Sequence, residues 1–178
     1  MPKAQSPKPN TPTVTTNPLY SAMRSSEADS LIFDDGWLRL VLSEDQYLPG
    51  YSILHAPKEV FDLHVLDSSR QARFLGFMAQ AGAAILAETG ARRMNYLIQG
   101  NLAPYLHVHI VPRFDWEDSP WREGPAALYP EELRIDMRAT KAMPGVSERL
   151  RRALARNSAE NPMPEWIDGS TLVDRTSP

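Results

Sequence analysis

The chain has 178 residues, 42% of them hydrophobic and 23% charged, which suits one domain with modest extensions and a buried core. A formal net charge of −3 gives no general attraction to a nucleic-acid backbone, so no stable nucleic-acid complex is expected and any phosphate recognition has to be local. Cysteine is absent, which excludes disulfides, Cys-ligated zinc and a thiol nucleophile; no stretch approaches the roughly 18 apolar residues of a membrane helix.

Residues 1–28 are rich in Pro, Ser and Thr and read as a tail without apolar anchors. They lack the apolar core of a secretory signal, so the expected compartment is the cytoplasm, with no membrane association. Order is expected from about Leu31. Trp37–Leu42 and Tyr51–His55 suit two strands of a hairpin around the Pro49-Gly50 turn. Asp67, Ser68 or Ser69 can cap a long helix running to Thr89, with Gly90 as its terminator. Its apolar face is read as Phe74, Leu75, Met78, Ala81, Ile85 and Leu86, and Gly76 and Gly82 are places where the helix can pack closely against the sheet. Two more strands are expected, Arg93–Ile98 and Tyr105–Val111. Beyond Arg113 the pattern becomes irregular, with Trp116 and Trp121 as anchors of a surface arm and short helices at Glu131–Met137 and Val146–Ala155. The fold class is therefore α+β, an antiparallel sheet with one long helix packed on it. The domain plan is a tail (1–28), a core (29–114) and a C-terminal extension (115–178).

Two of the four histidines sit in LHVHIVPR. Strand alternation points Tyr105, His107 and His109 one way and Leu106, Val108 and Ile110 the other, so the apolar set can hold the strand against the helix. A neutral imidazole can attack phosphorus when one ring nitrogen is bare and the other donates to a carbonyl that fixes the tautomer. Asn95 and Asn101 are neutral donors on neighbouring elements, and Gly100 lets backbone come close to a phosphate. The spacing alone leaves three readings open: nucleophilic phosphorus chemistry, a metal site completed by His55, His64, Asp45 or Glu59, and structural histidines. Arg113 can meet phosphate or form a surface ion pair.

The run NYLIQGNLAPYLHVHIVPRF, residues 95–114, resembles the signature of the histidine triad (HIT) superfamily, and DQYLPGYSILHAPKEVFDL, residues 45–63, resembles its hairpin. The resemblance covers about residues 31–114 and implies a HIT-like fold. It places the nucleophile at His107 and the phosphate- and leaving-group-contacting histidine at His109. It also places phosphate-site residues at Asn95, Gly100 and Asn101, and the ribose contact at Asp45 or Ser43. Leu31, Phe33 and Val41 become candidates for the base pocket. The chain departs from the family at Tyr105, which holds the place of the first triad histidine, and at Glu59, which holds that of a fourth; Glu59 is expected to point outward.

What the resemblance implies is hydrolysis of a phosphoanhydride or phosphoramidate on a nucleotide, such as a diadenosine polyphosphate, through a covalent nucleotidyl-histidine. No tightly bound cofactor is implied, although Mg2+ can arrive with a polyphosphate substrate. A homodimer is the expected assembly. The alternatives are transfer of the nucleotide to phosphate by the same intermediate, nucleotide binding without turnover, and a metal-dependent enzyme built on the HxH pair.

Overall fold

A computed structural model describes residues 30–160; the expected tail and residues 161–178 lie outside them. Five antiparallel strands form one sheet: β1 (Leu31–Asp34), β2 (Arg39–Leu42), β3 (Ser52–His55), β4 (Arg93–Ile98) and β5 (His107–Arg113), in the order β1-β2-β3-β5-β4. Three helices accompany them: α1 (Ser68–Thr89), α2 (Glu131–Thr140) and α3 (Val146–Glu160). The fold is α+β, with the long helix on the sheet and helices in the C-terminal region.

β1 is a strand that the hairpin reading does not include, and the turn after it explains why β2 begins late. The Asp34 carboxylate accepts from Gly36 N–H, and that of Asp35 accepts from Trp37 N–H and Leu38 N–H. These Asx contacts hold the backbone in a turn until Leu38, so Trp37 does not enter the ladder.

Helix α1 starts and stops at the expected residues. Asp67 caps it through Arg70 N–H, and Gly90 closes it in the left-handed region at φ 69°, a conformation cheap only for glycine. Its buried stripe keeps Phe74, Ala81 and Ile85 of the expected set and adds Phe77 and Ala84; Met78 is partly buried, and Leu75 and Leu86 are exposed. The spacing of that stripe follows one face, whereas the expected residues straddle two. Gly82 allows the close approach foreseen for it, since a Cβ there would lie 2.0 Å from the Tyr96 hydroxyl of β4.

Both faces of the sheet are covered, which is why β5 is buried along its whole length. On one face Leu40, Leu54, Val108 and Ile110 pack against α1, and α3 adds Val146, Leu150, Ala153 and Leu154 to the same core. On the other face Val41, Ile53 and Val111 meet Tyr47, Tyr51, Phe114, Tyr129 and Met137. The C-terminal extension thus contributes to both cores.

The arm is tied down by Arg113. Expected at a phosphate or in a surface pair, it is instead buried: its guanidinium donates to both oxygens of Glu117 and to the carbonyls of Trp121 and Gly124. Glu117 also accepts from Phe114 N–H and the Tyr129 hydroxyl. Trp121 packs half-buried near Tyr129, while Trp116 stacks on Phe114 and stays partly exposed.

Removing one member of a buried pair leaves the other charge uncompensated. Glu117→Ala is expected to cost about 3–5 kcal/mol in urea unfolding. Arg92→Ala, which breaks the exposed pair with Asp115, should cost far less. Equal small losses from the two substitutions would contradict this account of the arm.

Candidate active site

The histidines stand on the face opposite α1, in a row set by strand register. Arg39 pairs with His55, and His55 with His107; next along the sheet, Val41 pairs with Ile53, and Ile53 with His109. Directly opposed residues of antiparallel strands share a face, so Arg39, His55 and His107 form one cross-strand row and His109 lies in the next.

Tyr105 falls short of the strand. The Leu106 N–H donates to the Val60 carbonyl, and the Leu106 carbonyl accepts from Ala56 N–H, so β5 pairing proper begins at His107. The Tyr105 ring still reaches the row, 5.6 Å from the His107 ring and 5.9 Å from that of His55.

His107 Nδ1 lies 2.8 Å from the Tyr105 carbonyl oxygen. A carbonyl only accepts, so Nδ1 carries the proton and Nε2 of the neutral ring carries the lone pair. His109 Nδ1 lies 2.8 Å from the Tyr51 hydroxyl. Burial pushes the Tyr51 phenol well above the usual tyrosine range, so it stays protonated, and among the described residues it has no other hydrogen-bond partner. Tyr51 therefore donates to His109 Nδ1, which leaves the His109 proton on Nε2. The two histidine rings meet edge to face at 5.1 Å. One ring offers a lone pair and its neighbour an N–H.

His55 stacks on His107 at 6.2 Å and lines a cleft of about 380 Å3 together with Trp37, Arg39, Val41, Lys58 and Tyr105. His107 is only 2% exposed, and His109 1%. The cleft reaches His55 and Tyr105, whose rings stand against His107. Desolvation, with smaller contributions from His107 and Arg39, lowers the His55 pKa to about 4; desolvation and the other two histidines lower that of His109 to about 3.

The remaining expected residues disperse. Asn95 shares the histidine face but pairs with Val111, four positions or about 13 Å along the strand from His107, where it lines a second cleft with Arg93 and Arg122. The β4–β5 ladder ends with Ile98 opposite Val108, one position before His107. Gly100 and Asn101 are exposed, and a Cβ at Gly100 would meet nothing within 4 Å.

Asp45 does not open onto the cleft: it is buried in ion pairs with Arg134 and Arg138 of α2. Ser43 is buried too, its hydroxyl accepting from Asp45 N–H. Asp45 therefore braces α2, and Ser43 holds the backbone of Asp45. Of the three expected base-pocket residues only Val41 lines the cleft; Phe33 packs on Phe77 and Leu31 against the second core. Glu59 is exposed, as expected. Among the described residues no group of three or more His, Asp or Glu is placed to hold a metal ion. Among them, too, no helix is long and apolar enough to cross a membrane.

His55 and Tyr51 are the site residues that sequence reasoning passed over in these roles. His55 was weighed only as a metal ligand, and nothing local in YSILH announces a partner on the distant β5. An inward-facing histidine in the middle strand of an otherwise apolar run was the available signal.

No protein-family model matches the chain, and no curated protein matches it. Solved structures do. A histidine triad protein from Bradyrhizobium japonicum aligns with a TM-score of 0.50 and 22% identity, covering 71% of this chain and 92% of its own. One from Marinobacter aquaeolei gives 0.50 and 21%, covering 71% and 88%. A hypothetical histidine triad nucleotide-binding protein from Sulfolobus tokodaii gives 0.52 and 15%, covering 74% and 87%.

The fold is that of the histidine triad proteins.

Within this fold, Tyr105 is where the chain's sequence resemblance to the family expects a histidine, and His55 supplies a third imidazole from the neighbouring strand.

Because the folded-state pKa values of His55 and His109 lie below the ordinary 6.5, the unfolded chain binds more protons between those limits. Stability present above about pH 6.5 is therefore lost as pH falls toward 4, by about 1.4 kcal/mol per pH unit for each ring. Urea unfolding between pH 7 and pH 4.5 should show this loss, and His55→Gln should flatten the slope. A pH-independent midpoint would rule out two buried neutral imidazoles.

Proposed function

We propose that the chain is a hydrolase of nucleotide phosphoanhydrides or phosphoramidates that works through a covalent nucleotidyl-histidine at His107. The observation that carries this reading is the hydrogen bond from His107 Nδ1 to the Tyr105 carbonyl, which leaves Nε2 bare on a rigid strand of a histidine triad fold. In the reaction Nε2 attacks phosphorus, and a nitrogen–phosphorus bond forms as the bond to the leaving oxygen or nitrogen breaks. The Nε2–H of His109 hydrogen-bonds to a departing oxygen, which leaves as an anion; a departing nitrogen takes a proton from solvent and leaves as the amine. Water then cleaves the phosphoramidate, releasing a nucleoside monophosphate and restoring the neutral imidazole. Entry from the cleft requires the Tyr105 or His55 ring to move aside; both are partly exposed.

The same intermediate serves transfer to inorganic phosphate, which would make turnover phosphate-dependent. No tightly bound cofactor is part of the reading; Mg2+ would enter with a polyphosphate. Residues 29–114 are proposed as the catalytic core and 115–178 as its extension, in a cytoplasmic protein. A homodimer is supported by β4, an edge strand with exposed Tyr96 and Ile98, beside the exposed Leu75 and Leu86 of α1.

A second reading, nucleotide binding without turnover, is favoured by the burial of His107 behind His55 and Tyr105. One experiment separates the two. Rapid acid-free quenching with a labelled dinucleoside polyphosphate should give labelled protein in the wild type and none in His107→Ala, with turnover lowered about 1,000-fold or more. Tight binding without label or product would establish the binding role instead.

A further inference from the structure

The cleft beside His55 is lined by two basic side chains, Arg39 and Lys58. From Arg70 to Arg156, most arginines of the described residues are held in ion pairs, those of Arg113 and Arg134 being buried. Arg39 and Lys58 are in none, and both line the cleft. Arg39 is on the strand adjoining His55, and His55 on the strand adjoining His107, so one cation stands two strands from the attacking ring and on the same face. Lys58 follows the strand that carries His55. Asp34 is the acid on the cleft wall; its Oδ1 is engaged by its own turn, accepting from Gly36 N–H at 2.9 Å.

We propose that this cleft is a phosphate subsite in which Arg39, Lys58 and His55 hold the charged leaving portion of a polyphosphate chain, so that the preferred substrates are phosphoanhydrides rather than phosphoramidates. The assignment rests on His107 being the nucleophile. A departing amine leaves without negative charge, whereas a departing phosphate gains negative charge as its bridging bond breaks and is stabilised by cations lining the cleft. Held neutral by burial, His55 adds an N–H donor without competing for the anion as an acid would. The cleft volume of about 380 Å3 falls within the range of small-molecule sites.

The test has two arms, both on the full chain. Inorganic tripolyphosphate, titrated by calorimetry, should bind the wild type and lose about tenfold or more in affinity in the double variant Arg39→Gln/Lys58→Gln, while Arg39→Lys keeps most of it. In steady-state kinetics the double variant should lose kcat/KM at least about fivefold more on a dinucleoside tetraphosphate than on a nucleoside 5′-phosphoramidate, chiefly through KM. Lys58 is exposed, so Lys58→Gln alone keeps the test open if the double variant folds poorly. Equal tripolyphosphate affinity in wild type and variant, no binding by the wild type, or equal losses on both substrates would overturn the subsite. A wild type that binds tripolyphosphate as described but turns over no nucleotide would leave the subsite standing and remove the hydrolase reading.

Discussion

The functional account hangs on one short contact, between Nδ1 of His107 and the carbonyl two residues before it. It makes an imidazole that has two equivalent-looking nitrogens into a group with one defined lone pair. The contact is only as good as the backbone that presents the carbonyl. That backbone is held because Leu106 is bonded in both directions to the segment after β3, and because every residue of β5 is buried. Rigidity here matters: misplacement of an attacking atom by about 1 Å can cost about a hundredfold in rate.

The same strand explains what the C-terminal extension does. Arg113, the last residue of β5, gathers Glu117 and two arm carbonyls around its guanidinium, and Asp45 receives two arginines from α2. Together these contacts cover the Val111 end of the histidine face. The face stays open over Arg39, His55 and Tyr105. Among the described residues the extension supplies no side chain to the cleft beside His55.

Much of the fold was legible because its signals are local. Asp67 and Gly90 bound α1 with a side-chain cap and a left-handed turn, both readable within a few residues. Alternation in β5 assigned His107 and His109 to the face away from the helix. What sequence could not supply was register between strands far apart in the chain. Asn95 looked adjacent to the histidines by motif, yet pairing with Val111 carries it along the sheet. Asp45 looked like a hairpin group free to meet a ribose, but its arginine partners lie about ninety residues later, in a helix whose packing no local pattern announces, and Ser43 is buried, accepting from Asp45 N–H. His55 became a site residue only through the pairing of β3 with β5.

Tyr105 and His55 bear on the same ring from different strands, one at the position where the sequence resemblance expects histidine and the other where it does not. The protonation pattern at His107 is what either neighbour must respect for attack on phosphorus. Nitrogen-15 NMR of the full chain labelled at histidine, with His107 assigned through His107→Gln, reads that pattern directly at neutral pH. The account predicts a neutral ring with its proton on Nδ1 and an unprotonated Nε2. A proton on Nε2 with Nδ1 bare would contradict it, because the lone pair would then face the strand's own backbone instead of a substrate.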